Sequence, residues 1–112
     1  MKEADFQRQV VTLASLYGWQ FFHSTPGFGR GHWATQQLAS GPGFPDLVLV
    51  GDAVIFAELK NEAGKLSNGQ WHWGECLKDA GAEYYVWRPE HLEEIAERLK
   101  RWKHSSSRST SP

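Results

Sequence analysis

The sequence predicts an α/β fold with its elements in the order αβββαβα. Three observations carry that expectation. Apolar residues recur at helical spacing near both ends of the chain, at Phe6, Val10, Leu13 and Ala14 and again at Leu92, Ile95, Leu99 and Trp102. Between them lie short apolar runs separated by little more than Gly51-Asp52, the pattern of strands joined by a tight turn. A length of 112 residues, 40% hydrophobic with six tryptophans, suits a single small core.

Taken in order, the first helix is expected from Glu3 to Tyr17, with Gly18 as its stop. Trp19 to His23 reads as a strand. From Ser24 to Pro45 the chain is glycine-rich, and loops of that length in a compact domain are usually functional or disordered. Asp46 opens the strand Leu47 to Val50, and the turn at Gly51-Asp52 leads into the strand Val54 to Lys60. A second helix is expected from Ser67 to about Ala80, ended by Gly81. At its start, Leu66 to Trp71 reads as a capping box, with Ser67 as N-cap, Gln70 as N3, and Leu66 and Trp71 as a hydrophobic staple. Gln70, Trp73 and Leu77 then fall at i, i+3 and i+7, so if that face meets the sheet, Gln70 lies over it. Glu83 to Trp87 is a further strand, and Pro89 with the apolar pattern from Leu92 marks the last helix. Residues 1–103 form the domain. Residues 104–112, mostly Ser with Arg, Thr and Pro, have almost nothing to bury and are expected to be disordered.

The chemistry concentrates at Pro45-Asp46 and Glu58-Leu59-Lys60. Side chains alternate along a strand, so Glu58 and Lys60 share one face and Leu59 takes the other. Antiparallel pairing across the turn puts Asp46 beside the Glu58 end. Charges closing an apolar strand need a reason, because burying an unpaired carboxylate or ammonium is costly. One reading is a solvated strand end, with Asp46 an ordinary turn residue after proline. The other is a hard-metal site, in which Asp46 and Glu58 hold Mg²⁺ or Mn²⁺ to polarise a phosphoryl oxygen or lower the pKa of bound water. Lys60 would orient or deprotonate that water and offset charge in the transition state. The complete set, in order and on a hairpin, favours the metal.

These residues sit in a series of blocks that resembles the PD-(D/E)XK nuclease superfamily, and within it the stand-alone VRR-NUC domains of phage and bacterial type. The blocks are Glu3-Ala4-Asp5-Phe6-Gln7, Gly43 to Val50, Phe56 to Lys60, Lys65-Leu66-Ser67 with Gln70, and Ala80 to Glu83 leading to Val86-Trp87-Arg88-Pro89. The resemblance runs from Glu3 to about Trp102. It implies a restriction-endonuclease-like core, a mixed central sheet flanked by helices. It further implies that Asp46 and Glu58 ligate the metal with the Leu59 carbonyl oxygen, and that Lys60 is the catalytic lysine. Glu3 would point toward the metal, directly or through water, and Gln70 would complete the catalytic set. Glu3 is equally explained by the favourable field at a helix N-terminus, and Gln70 by capping alone. The implied activity is metal-dependent endonucleolytic hydrolysis of DNA, selective for branched, flapped or junction substrates, by a homodimer pairing two active sites.

Composition bounds these readings. A formal net charge of −1 gives no global pull toward a polyanion. Arg98, Lys100, Arg101, Lys103 and Arg108 make the C-terminal end basic, either for nucleic acid or to complement a helix dipole. In the glycine-rich segment, Arg30 is expected to contact phosphate and Trp33 or Phe28 to stack on an unpaired base. Its alternative is a mobile loop with Trp33 in the core. The GxGxG at Gly27, Gly29 and Gly31 lacks the Lys-Ser/Thr and helix of a phosphate-cradling loop. His23 is a candidate phosphate contact, with packing or exposure as its alternative. The five histidines show no HxxxH or paired Cys/His spacing, so no structural zinc is expected. The lone Cys76, expected to pack within the second helix, precludes an internal disulfide. With a charged N-terminus and no membrane-length apolar run, the expectation is a soluble cytoplasmic protein. Against the nuclease stands a non-catalytic nucleic-acid-binding or assembly module built on a degenerate nuclease fold.

Overall fold

The structure is a computed structural model that describes residues 1–24 and 39–102. Arg30, Trp33, Phe28 and the glycines beside them lie outside the described residues, as do Lys103, Arg108 and the 104–112 tail.

Helix α1 spans Glu3–Leu16, with Tyr17 as its C-cap. Gly18 follows at φ 85°, which lets its N–H reach Ser15 O and that of Trp19 reach Ala14 O, the paired bonds of a Schellman stop. Strand β1 is Gln20–His23, β2 is Leu47–Val50 and β3 is Val54–Leu59. Helix α2, Asn68–Asp79, ends as α1 does, with Gly81 at φ 86° and the same pair of bonds onto Lys78 and Leu77. Strand β4, Glu83–Trp87, leads through a single 3₁₀ turn at Pro89–His91 into α3, Leu92–Lys100.

The four strands form one mixed sheet in the order β1-β2-β3-β4. β1 with β2 and β2 with β3 are antiparallel, while β3 and β4 are parallel, joined by α2 as a crossover. Alternation then sorts the side chains. Leu47 and Leu49 of β2 and Ile55, Ala57 and Leu59 of β3 are buried with Phe6, Val10 and Ala14 of α1 and Ile95 and Leu99 of α3. Each fully buried Leu, Ile or Phe contributes roughly 1.5–3 kcal/mol, so this face supplies most of the fold's driving force. α2 covers the other face, approaching β4 through Gly74: a Cβ there would lie 2.7 Å from the Tyr84 ring. Phe44 meets Phe56 and Trp73 edge-on beside it.

That contact corrects two expectations for α2. Gly74 is its buried residue, and Cys76 is exposed, with its Sγ 3.6 Å from His72 Nε2. A Cys/His pair at i, i+4 therefore exists after all, on the outer face. Trp71, expected to staple against Leu66, is 60% exposed. Among the described residues, no helix is long and apolar enough to cross a membrane.

The far end of the sheet is closed by Trp19, Trp102 and Arg98. Trp19 Nε1 donates to Leu99 O at 2.9 Å, and the two indoles meet edge-to-face at 6.3 Å. The Arg98 guanidinium lies 5.3 Å over Trp19, donates to both Glu83 carboxylate oxygens, at 2.6 and 3.0 Å, and reaches Asp52 at 3.2 Å. It thus ties α3 to β4 and to the β2–β3 turn. Arg98→Ala is expected to lower the unfolding free energy in urea by about 2 kcal/mol, while Lys100→Ala, exposed on the same helix, changes it by less than about 0.5 kcal/mol.

Candidate active site

The approach to Asp46 is fixed by two glycines. Gly43 takes φ 103°, and a Cβ on it would lie 2.3 Å from the Gly69 carbonyl carbon. A Cβ on Gly69 would in turn lie 2.5 Å from Pro42 O. The segment before β2 and the first turn of α2 thus interlock, main chain on main chain, and Trp73 Nε1 adds a bond to Gly41 O at 3.2 Å. Pro45 and Asp46 enter the sheet from this junction, both buried.

One step beyond the Leu47↔Ala57 pair, the antiparallel register sets Asp46 opposite Glu58. Asp46 Oδ2 accepts the Leu59 N–H at 3.1 Å. A further step sets Pro45 opposite Leu59, and proline has no N–H to give. The Leu59 carbonyl oxygen is therefore left without a ladder donor from β2. The proline of the motif opens a main-chain oxygen beside the two carboxylates.

Glu58 is 1% exposed. Its Oε2 accepts from Gln70 Nε2 at 2.9 Å and lies 4.0 Å from Lys60 Nζ, while its Oε1 is buried with no hydrogen-bond partner among the described residues. Gln70 both caps α2 and reaches Glu58. Its Oε1 accepts the Ser67 N–H at 2.8 Å, and its own N–H goes to Ser67 Oγ at 3.1 Å. With the amide oxygen engaged by the cap, the amide nitrogen is left to face Glu58. Glu3, in the first turn of α1, accepts from Gln7 Nε2 at 3.4 Å and acts on Glu58 through its charge.

Burial above all pushes the Glu58 carboxyl up, from 4.5 to about 8. The neighbouring Asp46 adds to this through its charge, and Glu3 adds a little, against a downward pull from Lys60. Tyr84, below Gly74, is pushed up to about 12 by burial and by the charges of Glu58, Glu75 and Asp46.

Asp46, Glu58, Lys60 and Gln70 thus converge, with Glu3 within electrostatic reach. His23 does not join them. Paired with Leu47, it lies on the α1 side of the sheet in a recess with Ala4, Gln7, Arg8, Val11 and Thr12, its Nε2 buried and unpartnered among the described residues. Sequence reading gave no role to Gln7, Tyr84 or Arg88. Gln7 stands at i+4 from Glu3, which is the one signal that pointed to their contact.

Among the described residues, no group of three or more His, Cys, Asp and Glu side chains could hold a metal ion. Two carboxylates and a main-chain oxygen remain. That set suits Mg²⁺ or Mn²⁺, since Mg²⁺ keeps several waters and is commonly bound through one or two carboxylates plus substrate phosphate. It suits zinc less well, since zinc sites rest chiefly on His nitrogen and Cys sulfur. The Glu58 Oε1 supports the fit, because a cation there would satisfy a buried oxygen that has no hydrogen-bond partner among the described residues.

Compared with protein-family models, curated proteins and solved structures, the chain matches none.

Without a divalent cation, Glu58 makes the fold pH-sensitive in a defined direction. Between about 4.5 and about 8 the folded carboxyl holds a proton that the unfolded chain has released, so its contribution is fully present below 4.5 and is lost as pH rises through 8. In EDTA, the stability of the wild type relative to Glu58→Gln is expected to fall across that window in urea unfolding. A difference independent of pH would contradict the assignment.

Proposed function

We propose that this protein is a metal-dependent endonuclease that hydrolyses DNA phosphodiester bonds on a restriction-endonuclease-like core. The observation that carries the reading is the buried Asp46–Glu58 pair, with one carboxylate oxygen unpartnered and Lys60 and Gln70 directed at the other. Asp46, Glu58 and the Leu59 carbonyl oxygen would hold Mg²⁺ or Mn²⁺, which when bound supplies charge against the phosphoryl oxygens and acidifies bound water. Lys60, its side chain only 14% exposed, orients the attacking water and offsets negative charge at phosphorus. Gln70 holds Glu58 in one rotamer from a rigid helix N-terminus. Glu3 and Gln7 extend the acidic, hydrogen-bonded rim on α1.

Selectivity for branched, flapped or junction DNA and pairing of two copies belong to the same proposal. A physical motive for pairing is the apolar surface at Phe22, Val50 and Val54, each 45% exposed or more. Arg98 is not part of a DNA-binding surface here, since Glu83 and Asp52 already neutralise it. One observation favours the non-catalytic module instead: among the described residues no third acid completes a side-chain metal group.

Incubation with linear, flapped and four-way-junction DNA in Mg²⁺, Mn²⁺ or EDTA separates the two. Cleavage is expected in either metal and not in EDTA, with the branched substrates cut fastest. Asp46→Ala and Lys60→Ala are expected to lose at least about 10²-fold in rate with circular dichroism unchanged. Cleavage in EDTA, or full activity in either variant, would refute the mechanism. Binding without cleavage would assign the protein to the module.

A further inference from the structure

Arg88 follows β4 directly and is half-buried, yet among the described residues its guanidinium meets no acid. Instead Nη1 donates to two main-chain oxygens, Asn61 O at 2.8 Å and Gly64 O at 2.6 Å. These carbonyls belong to the turn that immediately follows Lys60. The turn also bonds to itself, with Ala63 N–H to Asn61 Oδ1 at 3.2 Å and Gly64 N–H to Asn61 O at 3.4 Å. Arg88 is itself pinned, its N–H donating to His91 Nδ1 at 3.0 Å.

The braced turn lies against the Lys60 side chain. A Cβ on Gly64 would stand 3.3 Å from Lys60 Cδ, 3.6 Å from its Cβ and 3.1 Å from Asn61 Oδ1, so the glycine sits flush on the lysine stem. On the other side the Lys60 N–H donates to Trp87 O at 3.0 Å, one residue before Arg88. The lysine is thus held at its main chain by β4 and along its methylenes by the turn. A lysine stem otherwise has considerable rotamer freedom, and a freely rotating ammonium spends little time at one place.

We infer that Arg88 is a positioning residue for Lys60: by clamping the 61–64 turn onto the lysine stem it keeps Nζ on the Glu58 side of the site. The inference rests on the proposed role of Lys60 in hydrolysis. A merely structural arginine would change stability; a positioning one changes turnover and the order of the Lys60 side chain.

The test uses the full chain as wild type, Arg88→Ala, Arg88→Lys, Gly64→Ala and Lys60→Ala. Cleavage kinetics in Mn²⁺ are taken on the DNA that the wild type cuts fastest. The order of the Lys60 ε-methylene is followed by carbon-13 NMR, assigned by its loss in Lys60→Ala. Arg88→Ala is expected to lower kcat at least tenfold with KM within twofold, and to narrow the Lys60 ε-methylene signal toward that of a mobile lysine. Arg88→Lys, able to donate to the same carbonyls, recovers part of kcat, and Gly64→Ala, crowding the stem, lowers it. If Arg88→Ala fails to fold, Arg88→Lys and Gly64→Ala decide, and wild-type kcat in both overturns the inference. So does a wild-type kcat in Arg88→Ala while Lys60→Ala is inactive, or a loss borne by KM, which would mark Arg88 as a DNA contact. Full activity in Lys60→Ala, or no cleavage by the wild type, fails the nuclease reading instead. In that case the NMR signal alone judges the clamp, and an unchanged Lys60 signal in Arg88→Ala overturns it.

Discussion

Two carboxylates buried opposite one another across β2 and β3 are the constraint around which the remaining structure is arranged. Each ionised carboxylate taken from water costs several kcal/mol, and bringing two together adds repulsion. The fold can carry that cost because its other face is dominated by apolar side chains: α1 and α3 bury Leu47, Leu49, Ile55, Ala57 and Leu59. Strand alternation keeps the two sets apart. The strands that supply the core thus also present the acids, and neither can shift by one residue without exchanging a leucine for a carboxylate.

Several devices that look like ordinary secondary-structure punctuation also serve the site. Pro45 ends the β2 ladder and, by lacking an N–H, leaves the Leu59 oxygen open. Ser67 and Gln70 cap α2, and the cap turns the Gln70 amide toward Glu58. Gly43 and Gly69 let two main chains touch, so that the start of α2 and the entry to Asp46 move as one body. Local stability and site geometry are therefore not separable here: the groups that satisfy helix and strand ends are those that aim the polar side chains.

Much of this was legible in the chain. Helical spacing at Phe6, Val10 and Ala14 and at Ile95 and Leu99 marked the buried faces, because a packed helix must keep one stripe apolar. Gly18 and Gly81 marked helix stops, since each needs positive φ. Alternation put Glu58 and Lys60 on one face, and the tight turn put Asp46 beside them. What was not legible depended on distant acceptors. Arg88 binds two carbonyl oxygens, which every residue possesses and no pattern announces. Which face of α2 meets the sheet was decided by the room Gly74 leaves for Tyr84, and this turned Cys76 outward against expectation. His23 was read from its place at the end of a strand, before the glycine-rich segment, and the parity of its pairing with Leu47 puts it on the α1 side.

The parallel pairing of β3 with β4 has a consequence for the order of events in folding. The β2–β3 hairpin closes a short loop and can form within microseconds, whereas β4 must wait for α2 to form and cross back over the sheet. Asp46 and Glu58 thus belong to one local unit of the chain, while the Gln70 amide and the Arg88 brace belong to the crossover and the strand beyond it. Lys60, at the end of the same hairpin, comes with the pair it opposes, whereas Gln70 and Arg88 join only through the crossover.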